Sequence, residues 1–213
     1  MNSSLPVISY GALALAFLPT LVLLGIMWRW SLDVREGAWA NLRMLVQLLA
    51  VGYLLTWLFE TDRPAVVLGA VLVMLAAGAW IALQPLPRRS ARLLLAAFTA
   101  LAACGGSMLY LVTQWVIDLP RWFEPRFVIP LAGMVFANAM NAMSIAAERF
   151  ESERPRQADE DAARRVALHA ALIPQINSLL AVGLVSLPGM MTAHILAGTD
   201  PLIAVRYPVV VMC

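Results

Sequence analysis

The sequence predicts an all-α fold, a polytopic bundle of membrane-spanning helices. Of its 213 residues, 62% are apolar and 13% are charged, whereas soluble domains are only about 45–50% apolar. The mean hydropathy is +0.79. The apolar residues form runs as long as the roughly 20 residues that a helix needs to cross a bilayer. Little chain is left for a soluble domain, so we expect a single transmembrane domain over residues 1–213.

Six apolar runs, each bounded by charged residues, are long enough to form a span. They are Leu5 to Trp28, Trp39 to Phe59, Pro64 to Leu86, Leu93 to Ile117, Phe127 to Ala147 and Val166 to Thr199. A seventh run begins near Pro201 and is too short to cross the membrane. We therefore expect six complete transmembrane helices and a truncated seventh.

Arginine placement predicts the orientation of these spans. The connections after spans one, three and five hold most of the arginines, including Arg88, Arg89 and Arg92 after span three. Positive residues concentrate in cytoplasmic loops, which puts these connections inside and the N-terminus outside. The first run has no positive charge before it, unlike a secretory signal, so we expect it to be a retained helix. The chain is predicted to be a multi-pass protein of the cell membrane.

Composition also excludes several functions. A net charge of +2 is too small to indicate nucleic-acid binding. The basic residues are all arginines, and a P-loop requires a lysine on the phosphates, so this chain cannot itself be such an ATPase. Any ATP would act through a partner subunit, and we expect the chain to bind no cofactor of its own. No Ser/His/Asp set or paired catalytic carboxylates are visible, so we do not expect an enzyme.

The stretch from Ile173 to Gly198, IPQINSLLAVGLVSLPGMMTAHILAG, is apolar but rich in prolines, glycines, amides and hydroxyls. The 13 residues between Pro174 and Pro188 would rise about 20 Å as a helix, less than the roughly 30 Å of the hydrocarbon core. We expect a kink or a break at Pro188 and Gly189. Because non-helical backbone at that depth needs protein or water beside it, a break should face the interior of a bundle.

Polar residues at helical spacing mark candidate pathway positions. In span five, Met134, Asn138, Asn141 and Ile145 share one stripe, and in span six Ser178 and Ser186 lie two turns apart. Amides near the middle of a membrane are costly unless they are paired. They either hydrogen-bond between helices or line a pathway, and the spacing leaves both alternatives open.

Metal-ligating residues are few. Met190, Met191 and His194 lie close together, with Met190 and His194 four residues apart, which fits a soft metal site, but side-chain packing is the more common explanation. We also count Met190 and His194 among the candidate pathway residues. The predicted outer loops carry carboxylates that are weak candidates for a cation entry or exit site and are otherwise solvated loop charges. These carboxylates are Glu60, Asp62, Asp118 and Asp200. The metal site therefore stays unknown at this stage.

The segment from Asp159, DEDAARRVALHAALIP, predicts a short amphipathic helix on the cytoplasmic surface. Glu160 with Arg164 and Asp161 with Arg165 are i,i+4 pairs in the favourable order, and the acids suit the positive end of the helix dipole. The predicted apolar stripe opposite them is Ala162, Val166 and Ala170. Such a helix is either a solvated connector or a docking element. Gln175 and Asn177 follow at the entry of span six, where amides can cap backbone left open by Pro174.

Three strings resemble one transporter family: IPLAGMVFANAMNAMSIAAER from Ile129, the stretch from Ile173, and AGTDPLIAVRYPVVVM from Ala197. They are similar to the permease subunit of the bacterial iron-export type of ABC transporter, whose family includes a plant aluminium-tolerance permease. The resemblance spans roughly residues 36 to 212 and implies a homodimer served by two separate P-loop ATPase subunits. It also implies that a cytoplasmic segment of about residues 149–173 couples to the ATPase. The residues so implicated are Ala162, Arg165, Val166, Gln175 and Asn177.

The chain departs from that family in its cytoplasmic connection. The family has a longer segment with a Leu-Gly-Ala turn, where this chain has only Phe150 to Val166. The resemblance leads us to expect a permease of the bacterial inner membrane that exports iron or another metal ion along Asn138, Asn141 and the polar line of span six. Two alternatives are export of a nucleotide sugar or lipid-like molecule, and a membrane scaffold that transports nothing.

Overall fold

The computed structural model of the chain describes residues 9–61, 63–119, 121–156, 159–206 and 208–209. These residues are predominantly helical and form no β-strand, which confirms the predicted class. The helices are α1 (Tyr10–Leu15), α2 (Leu18–Arg29), α3 (Val34–Phe59), α4 (Pro64–Ala82), α5 (Ala91–Ala100), α6 (Gly106–Leu111), α7 (Pro125–Glu153), α8 (Glu160–Ala181), α9 (Gly189–Leu196) and α10 (Pro201–Ala204). Two π-helical segments, Leu101–Gly105 and Val112–Val116, follow α5 and α6.

The chain divides into two compact units, residues 1–60 and 61–213. The first contains α1, α2 and α3. α1 and α3 begin at side-chain caps, because Ser9 Oγ accepts a hydrogen bond from the Ala12 amide and Asp33 Oδ1 accepts one from the Arg35 amide. α2 and α3 pack where Gly37 lies under the side chain of Leu24. The expectation of one domain over the whole chain stays a prediction.

Five stretches of the described chain are long and apolar enough to cross a membrane. They are Gly11–Arg29, Val34–Phe59, Pro64–Ala82, Ala91–Val116 and Pro125–Glu153. They coincide with the first five predicted runs, which supports a polytopic membrane protein. The predicted sixth span is not among them, because its residues are divided between α8, a turn and α9.

The core of the second unit lies between α4, α5 and α7. Ala79, Leu83 and Ala97 are buried there, and Met143 and Ala147 of α7 pack against them. Small residues let the helices approach closely: an ideal Cβ on Gly78 would lie 3.5 Å from Leu101 Cδ2. α7 also packs against α8, so it is the central helix of this unit.

The helical path after α5 is widened by its π segments, which the sequence did not reveal. Gly105 ends the first of them, and an ideal Cβ there would lie only 2.9 Å from Cδ1 and Cε1 of Phe136 on α7. The ring therefore occupies the space that a larger residue at 105 would need. Cys104, the residue before Gly105, is exposed.

α7 and α8 form a helical hairpin. Their alanine contact is made by Ala163, Ala167 and Ala171, which are at most 4% exposed. The predicted apolar stripe of Ala162, Val166 and Ala170 is half-buried and lies beside this contact, so its role as a docking face stays a prediction. Both sets repeat every four residues, and periodicity alone cannot choose between two adjacent alanine-rich faces.

Charged side chains border the turn of this hairpin. Glu153 is only 6% exposed, and its Oε1 lies 3.0 Å from Arg149 Nη2 and 3.6 Å from Arg156 Nη1. Arg154 Nη2 lies 3.5 Å from Glu160 Oε1, which links the end of α7 to the start of α8. Of these pairs, Arg154–Glu160 joins the two helix ends, and the two pairs of Glu153 are local to the end of α7.

The break in the predicted sixth span lies earlier than expected. α8 runs through Pro174 without interruption and ends at Ala181, and a turn from Val182 to Pro188 precedes α9. Gly183 has φ +80°, a conformation that favours glycine, and its amide donates to the Ser186 carbonyl at 2.9 Å. The helix therefore ends at Ala181, just before the turn that Gly183 permits, and Pro188 only precedes the start of α9.

Candidate functional site

A polar groove of about 380 Å³ lies between α7 and α8. We call it the α7–α8 groove. Its lining is made of amide, hydroxyl and a few apolar groups from both helices: Asn138, Asn141, Ser144, Ile145, Pro174, Gln175 and Ser178. Four of these residues, Asn138, Asn141, Gln175 and Ser178, are among the site residues that the sequence predicted. The structure thus brings the polar stripe of one helix opposite that of the next.

The groove follows from the sequence of α8. The face that packs on α7 begins with Ala163, Ala167 and Ala171, and at the same four-residue spacing it continues with Gln175. Ser178 follows on the same side, less than one turn later. The helices are in tight contact where this face is alanine, and a cavity opens between them where the face becomes polar.

α7 contributes its side of the groove through three- and four-residue spacing. Asn138, Asn141, Ser144 and Ile145 fall on one stripe. Ser144 is a lining residue that our reading of the sequence missed, although its position three residues after Asn141 on a helix was the signal that could have found it. Asn138 and Asn141 are exposed in this single chain, so their amides are open to the groove.

The polar side chains of the lining are uncharged, and each can both donate and accept hydrogen bonds. Each Asn and Gln side chain offers a carbonyl acceptor and two N–H donors, and each serine hydroxyl can both donate and accept. Such a surface can contact the water shell of an ion or the oxygens of an organic molecule without a fixed charge. It is suited to a passing ligand more than to a tightly held bare cation, because hard cations prefer carboxylate oxygens.

Pro174 gives this part of α8 a local weakness. Proline has no amide hydrogen, so the carbonyl of Ala170 receives no helical hydrogen bond from it. α8 does not end there, and we find no helix terminus at Pro174 for Gln175 and Asn177 to cap. The capping interpretation is therefore wrong. Gln175 lines the groove instead, and Asn177 is exposed.

The remaining predicted pathway residues lie elsewhere. Met134 is half-buried one turn before Asn138, Ser186 is exposed in the turn, and His194 is half-buried on α9. The side chain of Met190 lies outside the described residues. None of these residues contributes to the lining of the α7–α8 groove as the structure describes it.

The turn between α8 and α9 exposes large apolar side chains. Leu184 is 90% exposed and Val185 is 84% exposed. The predicted interior position of this break is not reached within the single chain. A protein surface that covers this turn would have to come from another molecule or from residues outside the described ranges.

Three of the five predicted coupling residues lie on the first half of α8, and Gln175 and Asn177 lie on its second half. Ala162 and Val166 are half-buried, and Arg165 is exposed. Arg164 Nη2 lies 3.5 Å from Glu160 Oε2, which is the predicted pair, but Asp161 Oδ1 accepts from Arg164 Nη1 at 2.9 Å and was predicted to pair with Arg165. Asp159 caps the helix by accepting from the Asp161 amide. The coupling segment and the groove are therefore parts of one continuous helix.

The weak cation candidates do not form a cluster in the part of the chain that is described. Among these residues, no three His, Cys, Asp or Glu side chains come together as a metal would require. Asp200 Oδ1 accepts from the Leu202 amide at 2.7 Å and so caps α10. Glu60 and Asp118 are exposed, and Asp62 lies outside the described residues.

Comparison with known proteins decides the family. The chain matches the family described as "Uncharacterised protein family (UPF0014)" over residues 10–164 and 153–213. It belongs to this family. No solved structure gives a significant match to this UPF0014 chain.

Several UPF0014 relatives carry informative names. The chain is 36% identical to "UPF0014 membrane protein slr1647" of Synechocystis, over 82% of this chain and 73% of that protein. It is 33% identical to "Probable iron export permease protein FetB" of Escherichia coli, over 94% of this chain and 81% of that protein. It is 30% identical to "Protein ALUMINUM SENSITIVE 3" of Arabidopsis thaliana, over 80% and 66%. The resemblance drawn from the sequence is thereby confirmed, and the chain is a multi-pass UPF0014 membrane protein.

Proposed function

We propose that this chain is the permease subunit of an ABC exporter in a bacterial inner membrane, working as a homodimer with two separate P-loop ATPase subunits. The substrate in this proposal is iron or another metal ion moved outward. The similarity to a relative named as an iron export permease supports it. The lysine-free sequence supports the separate motor, because a P-loop requires a lysine.

The observation that carries the proposal is the α7–α8 groove, where amides and hydroxyls of two neighbouring helices meet. Each water occupies about 30 Å³ in the liquid, so a cation with six waters needs roughly 180 Å³. The groove has about 380 Å³, which is enough for the ion with its water or with a small chelator. Neutral side chains suit such a ligand, because they bind its outer shell weakly enough to release it.

α8 supplies the link between motor and pathway. From Val166 in the coupling segment to Ser178 in the groove, the helix rises about 18 Å. A push on its first half would shift Gln175 and Ser178 against α7, with bending concentrated at Pro174, where a helical hydrogen bond is missing. Alternating access then requires only that ATP binding shift α8 against α7.

A second copy of the chain completes the pathway in this proposal. Leu184 and Val185 are exposed in a turn that the sequence predicts to lie within the membrane. Irregular backbone at that depth is tolerated only against protein or a wet cavity. The symmetry mate would cover the turn and enclose the open side of the groove.

The test is co-purification with a stand-alone P-loop ATPase co-expressed from the same organism, followed by ATPase assays of the complex in lipid. We expect the two proteins to purify together and ferrous ion to stimulate ATP hydrolysis. Stimulation by UDP-glucose with no response to ferrous ion would replace the metal substrate by a nucleotide sugar. A chain that recruits no ATPase, even when both are co-expressed, would contradict the exporter and favour the scaffold.

A further inference from the structure

The corner between α4 and α5 holds two adjoining cavities that transport does not use. The larger, of about 420 Å³, is apolar and open on one side, and it is lined by Ala76, Ala79, Ala91, Leu94, Leu95 and Phe98. The smaller, of about 280 Å³, is lined by Trp80, Leu83, Arg89, Ser90, Ala91 and Leu94. Because Ala91 and Leu94 line both, they form one continuous groove, which we call the α4–α5 groove. It has an apolar trough and a mouth at the α4–α5 connection.

Arg89 is held over the mouth of this groove. Its Nη2 donates to the Gln84 carbonyl at 2.7 Å, and its guanidinium carbon lies 6.0 Å from the centroid of the Trp80 ring. A guanidinium carries five N–H donors, and this bond uses one of them. Arg88 and Arg92 are exposed beside it, so three arginines fall within five residues, 88–92. The mouth is a concentrated positive charge with donors that suit a phosphate.

The floor of the trough is preformed. Ala79, Leu83 and Ala97 are buried beneath it, and Leu94 and Phe98 pack on them. Met143 of α7 supports the same cluster from the other side. An occupant of the trough would therefore meet a packed surface and would not have to open one.

We propose that the α4–α5 groove binds one anionic phospholipid, with its phosphate at the arginine mouth and one acyl chain along the trough. The arginines are predicted to face the cytoplasm, where basic pockets between membrane helices bind anionic headgroups. Lipid tails are as apolar as leucine side chains, so the trough itself gives little selectivity among lipids. Charge complementarity at the mouth selects the anionic headgroup, and the trough keeps the lipid in one position.

The test is native mass spectrometry of the full chain in detergent with added phosphatidylglycerol or phosphatidylcholine. We expect one phosphatidylglycerol to be retained in preference to phosphatidylcholine. Each arginine near a membrane surface changes lipid affinity about fivefold, so replacing Arg89 and Arg92 by alanine should weaken phosphatidylglycerol binding about 30-fold. The matched control is Arg126→Ala, an exposed arginine at the start of α7, which should leave binding unchanged.

A second variant tests the trough and keeps the charge. Ala91→Phe places a ring where both cavities meet, and it should also reduce retention of phosphatidylglycerol. Unchanged retention in both groove variants would overturn the proposal. Glycerol 3-phosphate binding as tightly as phosphatidylglycerol would overturn it too, since the site would then be one for free phosphate. A change in the number of chains per particle would show that the groove is instead an interface between proteins.

Discussion

Replacing Gly105 by alanine should destabilise the chain, whereas the same change at the neighbouring Gly106 should stabilise it. A Cβ at 105 would lie 2.9 Å from two ring carbons of Phe136, which is buried on α7 and has little room to move. Overpacking of this kind costs about 1–3 kcal/mol. The gain from replacing a helical glycine is about 0.5–1 kcal/mol, so the net loss lies between about 0 and 2.5 kcal/mol, with a central value of about 1 kcal/mol.

Gly106 provides the matched control, because no heavy atom lies within 4 Å of its ideal Cβ. The substitution there only reduces the backbone entropy that the chain loses on folding, so Gly106→Ala should raise the free energy of unfolding by about 0.5–1 kcal/mol. The assay is thermal unfolding of the purified variants in one detergent, followed by intrinsic tryptophan fluorescence. A double variant, Gly105→Ala with Phe136→Leu, should recover part of the loss. If both glycine variants shift the unfolding temperature in the same direction and the double variant recovers nothing, the close contact between the π segment and α7 is refuted.

Three further predictions concern α8 and its turn. Ala162→Asp should uncouple ATP hydrolysis from export in a folded protein, whereas Ala163→Asp should abolish folding because it buries a charge against α7. Size-exclusion profiles report folding, and parallel assays of ATP hydrolysis and export report coupling. The same profile and the same activities in both variants would contradict the observed contact face. Gly183→Ala should cost about 1–2 kcal/mol through its positive φ, while Gly189→Ala, which has open space and no such conformation, should change thermal stability by less than about 0.5 kcal/mol. Leu184→Cys, in a chain whose own cysteines are replaced, should form a disulfide-linked dimer on mild oxidation in the membrane, and a purely monomeric product would count against the homodimer.

The spans and much of the candidate site could be predicted because hydropathy and helical spacing are local properties. Asn138, Asn141 and Ser178 were recognised from their positions on two stripes, and the structure brings them to one groove. Two stripes on successive helices meet when the connection is a short hairpin, and the chain between α7 and α8 is short enough to impose one.

The sequence did not predict features for which two nearby residues were about equally suited. Pro174 and Pro188 were the visible breakers, yet α8 passes the first and ends before the second, because Gly183 adopts a positive φ that no composition rule requires of it. Ala162 and Ala163 differ in neither size nor polarity, so the sequence alone does not show which of them is buried against α7. The Arg154–Glu160 ion pair joins α7 to α8 across the hairpin turn, so it forms only once both helices have packed.

The most direct test of the transport pathway is the double variant Asn141→Leu with Ser178→Val, reconstituted with its ATPase in proteoliposomes. Each lost hydrogen bond is worth about 1 kcal/mol, so ATP-dependent movement of ferrous ion should fall about 30-fold. Basal ATP hydrolysis and the unfolding temperature should stay unchanged, because both residues are exposed in the single chain. Thr99→Val, an exposed polar-to-apolar change on α5, is the control that should transport normally. Iron movement at the unaltered rate in the double variant would contradict the α7–α8 groove as the pathway.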